Sequence, residues 1–365
     1  MFMRVFWFTA RSMEDLCSTT QNSIAENLCI RGHDVTIVNG DWNIDLQDKT
    51  WNHIGLRYKP LQGVRSISLG KAMKKWIATH NFKADDYALV EWRVVRWVAP
   101  ELEKKGISWA LIDRSPPAFA GILAKIQWIF WKKAWRLAAR SKSSGFVVSK
   151  QHADFVKVKT GYKNSKVLTA GVDLKMFNVG ERNRPLTMVY HGRLDQNRGV
   201  FSLPMFAQKI VNAGVKIKLV MIGTGDSFEA LLALSDEKSF LQVYGTLPTQ
   251  KIAQILSQCH IGLLPMPDSK VWRLASPLKR SEYLASGLVV FGIDHSGHQI
   301  EGAGEWMKLV AQGEFHTEGL QWIQSLDENT LEALSKEARK YAENTLNWSR
   351  TVDVLEKELD SKILH

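Results

Sequence analysis

The twelve residues SPLKRSEYLASG, Ser276 to Gly287, hold the makings of an anion site with a carboxylate set behind it. Ser276 is a good N-cap residue, Pro277 suits a first helical turn, and Gly287 can end a helix in the left-handed conformation. The spacing predicts a helix over 278–285. Its start, from Ser276 through Leu278, offers backbone N–H groups and the positive end of the helix dipole to a phosphate. Lys279 falls in that first turn. Glu282 lies about one and a half turns inside, where a carboxylate can reach the hydroxyl pair of a ribose. The same residues also describe an ordinary capped helix with Glu282 on its solvated face, and the segment alone does not choose.

Other residues with useful chemistry fall at the ends of predicted strands. TMVYHGRL ends at Gly192 with Arg193 behind it, and IKLVMIG ends in Gly223-Thr224-Gly225. Leu241 to Tyr244 runs into Gly245, Thr246 and Leu247, and His260 to Pro265 leads toward Ser276. In open parallel sheets ligands gather outside the carboxyl ends of the strands, so these loops form one candidate rim. Asp113, which ends the predicted strand SWALID before RSPPA, occupies the same kind of place in the first half; it reads equally as a turn-former ahead of a proline pair.

Strand and helix patterns alternate along the whole chain. This predicts an α/β protein with two Rossmann-like, doubly wound parallel sheets. A first domain spans 1–177, a Pro-containing linker 178–185 and a second domain 186–345, and a helix over 346–365 is long enough to cross back to the first domain. The opening β–loop–α–β unit lacks the G-x-G-x-x-G of a dinucleotide site, which weakens a nicotinamide or flavin reading.

With 45% apolar and 23% charged residues in 365, the composition is that of a soluble globular protein with room for two cores. Cys17, Cys29 and Cys259 form no close-spaced pair, which argues against a disulfide framework or a zinc site and favours a reducing cytoplasm. The opening MFMRVFWFTA is too short, and too soon followed by Arg11, Glu14 and Asp15, for a signal peptide. The net charge of +11 is concentrated over 122–166, where eleven lysines and arginines face one acid, Asp154. Within that segment, 122–140 predicts an amphipathic helix. Ile122, Leu123, Ile126, Phe130, Ala134 and Leu137 line one sector, and Trp128, Trp131 and Trp135 the next. Lys125, Lys132, Lys133, Arg136 and Arg140 fill most of the remainder. The expectation is that the aliphatics pack on the domain while Trp128, Trp131, Trp135, Lys125, Lys132, Lys133 and Arg136 meet an anionic membrane surface, on the inner face of the cell membrane. Tryptophans in the core with solvated cations is the competing reading. Single-stranded nucleic acid would suit the patch too, but no nucleic-acid module frames it, so no nucleic-acid partner is expected.

In order and spacing these landmarks resemble the GT-B glycosyltransferases of family 4, retaining hexosyltransferases that use nucleotide-sugar donors. GVDLKMF (Gly171 to Phe177) resembles the family's G-V-D-x-x-x-F, and HGRLDQNRG resembles its G-R-L-x-x-x-K-G with Arg198 where lysine is usual. KLVMIGTG resembles its strand and G-x-G turn, SPLKRSEYLASG its P-x-K-x-x-E-Y-x-A-x-G helix, and NWSR the motif opening the returning helix. The resemblance implies two domains facing a cleft, with donor in the second and acceptor in the first. It implies that Arg193 and Arg198 grip the diphosphate, with Lys279 assisting, and that Glu282 grips the ribose. No cofactor and no metal is implied, since no D-x-D pair is present; the donor would be a UDP- or GDP-sugar and the acceptor a glycan or a lipid-linked molecule. Cationic groups must then stabilise the charge that builds on the departing diphosphate. Asp113 stands near the place of a family histidine and acid. A same-face mechanism, in which the leaving phosphate deprotonates the acceptor, needs no side-chain base. One departure is informative: the family commonly has a second glutamate eight positions before Glu282, where this chain has Leu274, which puts the donor sugar's identity in doubt. A sugar-nucleotide epimerase of the same architecture and a non-catalytic nucleotide or polyanion binder are the alternatives.

Overall fold

A computed structural model of the chain describes residues 2–13, 18–44, 49–60, 65–117, 122–182 and 184–363. Cys17, Glu14 and Asp15, part of the 10–20 loop and Asn183 of the expected linker lie outside the described residues. The chain divides into two compact units, Met1–Ala170 with Trp348–His365, and Gly171–Asn347.

The first unit carries a seven-stranded sheet of β1 (Arg4–Phe8), β2 (Asp34–Asn39), β3 (Asn52–Gly55), β4 (Tyr87–Glu91), β5 (Ser108–Asp113), β6 (Gly145–Val147) and β7 (Ser165–Val167). All pairs are parallel, in the order β3-β2-β1-β4-β5-β6-β7. Central strands such as β4, YALVE, are buried at every position, which is why they read as nearly continuous apolar runs. The crossovers are α1 (Thr19–Ile30), α2 (Arg65–Thr79), α3 (Val95–Lys104), α4 (Ile122–Arg140) and α5 (Lys150–Thr160). Ser149 caps α5, its hydroxyl accepting from His152 N at 3.1 Å. Edge strand β7 pairs only over Ser165–Val167, and the half-exposed edge strand β3, NHIG, has no apolar run to announce it.

The second unit repeats the pattern. It comprises β8 (Leu186–His191), α6 (Ser202–Asn212), β9 (Ile217–Ile222), α7 (Phe228–Glu237), β10 (Leu241–Tyr244), α8 (Thr249–Leu256), β11 (Ile261–Leu264), α9 (Leu278–Ala285), β12 (Val289–Ile293), β13 (Met307–Val310), α10 (Phe315–Ser325) and α11 (Glu328–Thr345). Its sheet is parallel in the order β10-β9-β8-β11-β12-β13. In both sheets the chain winds outward on one side and then crosses to the other. The order reverses between β1 and β4 and between β8 and β11, and such switch points are where open sheets bind ligands.

The last helix, α12 (Trp348–Ile363), packs on α1 and belongs to the first unit. Arg31 on α1 reaches Asp353 at 2.7 Å and also pairs with Glu356. Deeper in, Glu358 accepts from Ser144 Oγ at 2.7 Å, Lys166 Nζ at 2.5 Å and the Tyr87 hydroxyl at 3.2 Å. Burial, reinforced by this carboxylate, drives the Tyr87 phenol well above its ordinary pKa.

Candidate functional site

The loops after β8, β9, β11 and β12 converge at the switch point of the second sheet, and backbone contact explains their glycines. A Cβ on Gly223, whose φ is +140°, would stand 1.8 Å from the Gly192 carbonyl oxygen. One on Gly225 would stand 2.5 Å from that of Leu194, and one on Gly199 2.5 Å from that of Pro265. Leu194 N donates to Thr224 O at 2.9 Å, and the Trp272 indole donates to Asn197 O at 3.1 Å. Gly245, Thr246 and Leu247 follow β10 farther out, with the Thr246 hydroxyl 3.4 Å from that of Thr224.

Arg193 and Arg198 meet on one carboxylate. Arg193 Nε and Nη2 each donate to Asp195 at 2.8 Å, while Arg198 Nε stands 3.5 Å from the same group. The Arg193 bond is the main reason the Asp195 carboxyl is held below its usual range. The Arg198 guanidinium also stacks on Trp272, 4.7 Å from the ring centroid. Arg193 is exposed and Arg198 half-buried, so a ligand can reach both.

Helix α9 spans the expected residues, but its N-cap sits one residue later than expected. Pro277, extended at φ −71° and ψ 122°, is the N-cap in place of Ser276, and no side chain caps the first turn. Proline brings no N–H of its own and steers Ser276 away from helical geometry, which moves the cap. The other end is as predicted: Gly287 has φ +69°, and Leu288 N donates back to Tyr283 O at 2.9 Å.

Lys279 points inward. It is only 7% exposed, and its Nζ lies 3.7 Å from the Tyr190 ring centroid with no hydrogen-bond partner. A Cβ on Gly192, whose φ is +122°, would stand 2.9 Å from that nitrogen, so a side chain there would displace the amine. Burial, then the nearby Arg198 charge, pushes the Lys279 amine well below its ordinary pKa; Glu282 opposes them. Glu282 Oε2 approaches His191 Nε2 to 3.0 Å without the alignment of a hydrogen bond. His191 Nε2, Arg198 Nε, Lys279 Nζ and Glu282 Oε2 are thus all buried without a hydrogen-bond partner at one switch point. Native interiors leave few such groups, and a cluster of them calls for a polar partner, whether ligand, ion or water. Leu274, where a second carboxylate would be expected, packs at 9% exposure on the turn Trp272–Leu274.

His191, Asp195, Tyr190 and Trp272 were not picked out from the sequence. His191 and Asp195 flank the Gly192-Arg193 pair directly, so adjacency was a usable signal; Trp272 joins only through the fold.

In the first unit the structure corrects two readings. Trp131 and Trp135 are fully buried, and both donate their indole N–H to Asp113, at 2.5 and 3.0 Å. His152 Nε2 stands 3.3 Å from the same carboxylate. Asp113 is therefore a buried anchor for α4 and not a group open to substrate. The tryptophans turn inward with Ala134 and Ala138, while Ile126 and Ile129 are 43% and 51% exposed. An aspartate under the helix supplies the hydrogen bonds that buried indoles require, which turns Trp131 and Trp135 to the core, while Phe130 and Leu137 pack there as expected. Trp128 is half-buried against Trp131 and Phe155. Lys125, Lys133 and Arg136 remain exposed and Lys132 half-buried.

A second polar cluster occupies the β1–β4 switch point. Glu91 accepts from Thr9 Oγ1 at 2.9 Å, Ala10 N at 2.7 Å and Arg93 at 2.9 Å, and a small cavity there is lined also by Arg11, Thr20 and Arg114. Burial alone would raise the Glu91 pKa; Arg93, Arg11 and the two hydrogen bonds outweigh it and hold the carboxyl low.

No family model and no curated protein sequence matches the chain. Solved structures do match. Sucrose-phosphate synthase from Thermosynechococcus elongatus superposes with a TM-score of 0.78 at 16% identity over 99% of each chain. HepE from Anabaena, solved with UDP and glucose, gives 0.72 at 10% identity over 98% of this chain and 100% of its own. The pneumococcal O-GlcNAc transferase GtfA, solved with UDP and GlcNAc, gives 0.72 at 12% over 100% and 99%. The fold is GT-B.

Proposed function

We propose that this chain is a retaining, metal-independent glycosyltransferase that moves a sugar from a nucleotide-sugar donor to a glycan or lipid-linked acceptor. One observation carries the reading: four buried polar atoms, on His191, Arg198, Lys279 and Glu282, lack a hydrogen-bond partner at the β8–β11 switch point. Their chemistry divides as a nucleoside diphosphate does. Arg193, Arg198, Lys279 and the uncapped start of α9 suit the diphosphate, and Glu282 suits the ribose. The turns at Gly192, Gly223 and Gly225 let backbone approach the ligand closely, and Gly245 to Leu247 border it toward the base. Similar proteins solved with UDP and a sugar support the same ligand class.

As the bond from sugar carbon to phosphate oxygen breaks, charge builds on the diphosphate. Arg198, released from Asp195 toward the phosphate, and Arg193 stabilise it in the transition state. The acceptor belongs at the β1–β4 switch point, among Arg11, Glu91, Arg93 and Arg114. The departing phosphate takes the acceptor's proton, so no side-chain base is needed. The exposed face of α4, with Lys125, Ile126, Ile129, Lys133 and Arg136, suits an anionic membrane carrying a lipid-linked acceptor from the cytoplasmic side.

A thermal-shift series with UDP, GDP and their sugars tests the donor site, since a ligand of the folded state raises its melting temperature. Stabilisation by one nucleoside diphosphate and its sugar is expected. No shift with any of them, in a protein that unfolds cooperatively, would remove the reading.

A further inference from the structure

We propose that Lys279 is empty of charge in the free protein and takes up a proton as a nucleoside diphosphate binds, so that ligand binding assembles its own innermost cation. The inference rests on the nucleotide reading of this site and adds a proton to it.

The geometry argues as follows. An ammonium has three donors, and buried ones need acceptors. Lys279 Nζ has none: it is enclosed by the Tyr190 ring, the Gly192 backbone and its own helix, on a side chain almost wholly out of water. An isolated buried ammonium sheds its proton rather than remain unpaired. The Tyr190 face, at 3.7 Å, offers some cation stabilisation, but the Arg198 charge opposes it. The depressed pKa described above agrees with this balance. A phosphate brought to the start of α9 supplies anionic acceptors and cancels the Arg198 field. Both changes restore the charged amine, and the proton comes from the buffer.

The groups facing Lys279 are few. On β8 they are Tyr190 and His191, beyond it Arg198 with Asp195, on α9 Glu282, and after β12 His298. Burial raises Tyr190 and keeps His298 well below its ordinary value, so neither changes charge between pH 7 and 9. The His191–Glu282 pair remains intact in a Lys279 variant and cancels in comparison with it. A terminal phosphate, with its second pKa at about 6, is already dianionic in this window.

Isothermal titration of the full chain with UDP and with GDP, at pH 8 in two buffers of different ionisation enthalpy, reads the proton directly. Wild type is expected to take up as much as one proton per ligand, and its affinity to fall with rising pH by as much as about tenfold per unit. Lys279→Met, checked as folded by calorimetry, should bind more weakly with no such uptake; Lys279→Arg, always charged, should bind with no uptake. Buffer-independent heats in wild type, or the same uptake in Lys279→Met, overturn the proposal while leaving the nucleotide site in place. Binding of neither ligand to wild type overturns both.

Discussion

Replacing Lys279 with methionine should make the free protein more stable while weakening its grip on the nucleotide. The amine is buried without a partner, so the native state carries the desolvation cost of a polar group, about 1–3 kcal/mol. Methionine keeps an unbranched stem of similar length and lays sulfur near the Tyr190 ring, a contact that is itself mildly favourable. Taking about 2 kcal/mol for the gain, and about 2–4 °C per kcal/mol for a unit of this size, the melting temperature should rise by about 4–8 °C. The gain has a pH signature. The folded pKa of Lys279 is lowered, so the unfolded chain binds more protons and wild-type stability climbs with pH up to the ordinary lysine value of 10.5. The advantage of the methionine variant should therefore shrink as pH rises toward that value. Differential scanning calorimetry at pH 7 and 9.5, following the transition that UDP shifts in wild type, measures both effects. A variant that melts at or below the wild-type temperature at pH 7, with unchanged circular dichroism, would refute the unpaired-amine argument.

Asp113→Ala should lose about 3–5 kcal/mol of stability, because two buried indole N–H groups lose their common acceptor and His152 its neighbouring carboxylate; denaturant titration measures it. If Asp113→Ala keeps wild-type stability and loses only turnover, the anchoring role is wrong. Arg198→Ala should cut sugar transfer by about 10²–10³-fold at unchanged melting temperature, read by product formation from the donor found in the thermal-shift series. Replacing Lys125, Lys133 and Arg136 with glutamate should abolish co-flotation with anionic liposomes, and wild type that does not float with them ends the membrane proposal.

The parallel sheets were legible because buried strands such as YALVE and SWALID are apolar at nearly every position and alternate with helical periods. Short edge strands were not, since NHIG and MKLV bury too little to leave a pattern. Ser276 to Gly287 showed its helix and left-handed stop, but the cap fell on Pro277 and not Ser276 because a proline can itself occupy the N-cap position. Local sequence showed that Lys279 is near a helix start and not that it is buried, because burial there comes from Tyr190 and the glycine turn. The tryptophans of α4 misled for a related reason. A helical wheel orders side chains around an axis but does not say which sector meets the core, and Asp113, on a strand nine residues before the helix, decides it.

Glu358 ties the order of synthesis to the order of folding. Unit 2 is one contiguous stretch and can close as soon as it is made, whereas the first unit waits for a helix translated after all of unit 2. Until then Tyr87, Ser144 and Lys166 lack the carboxylate on which they converge. At about 5–20 residues per second, the wait between Ala170 and the end of α12 is about 10–40 s. During that interval the face that α12 will cover is open, so a nascent chain is most vulnerable to misassembly in the unit it began first.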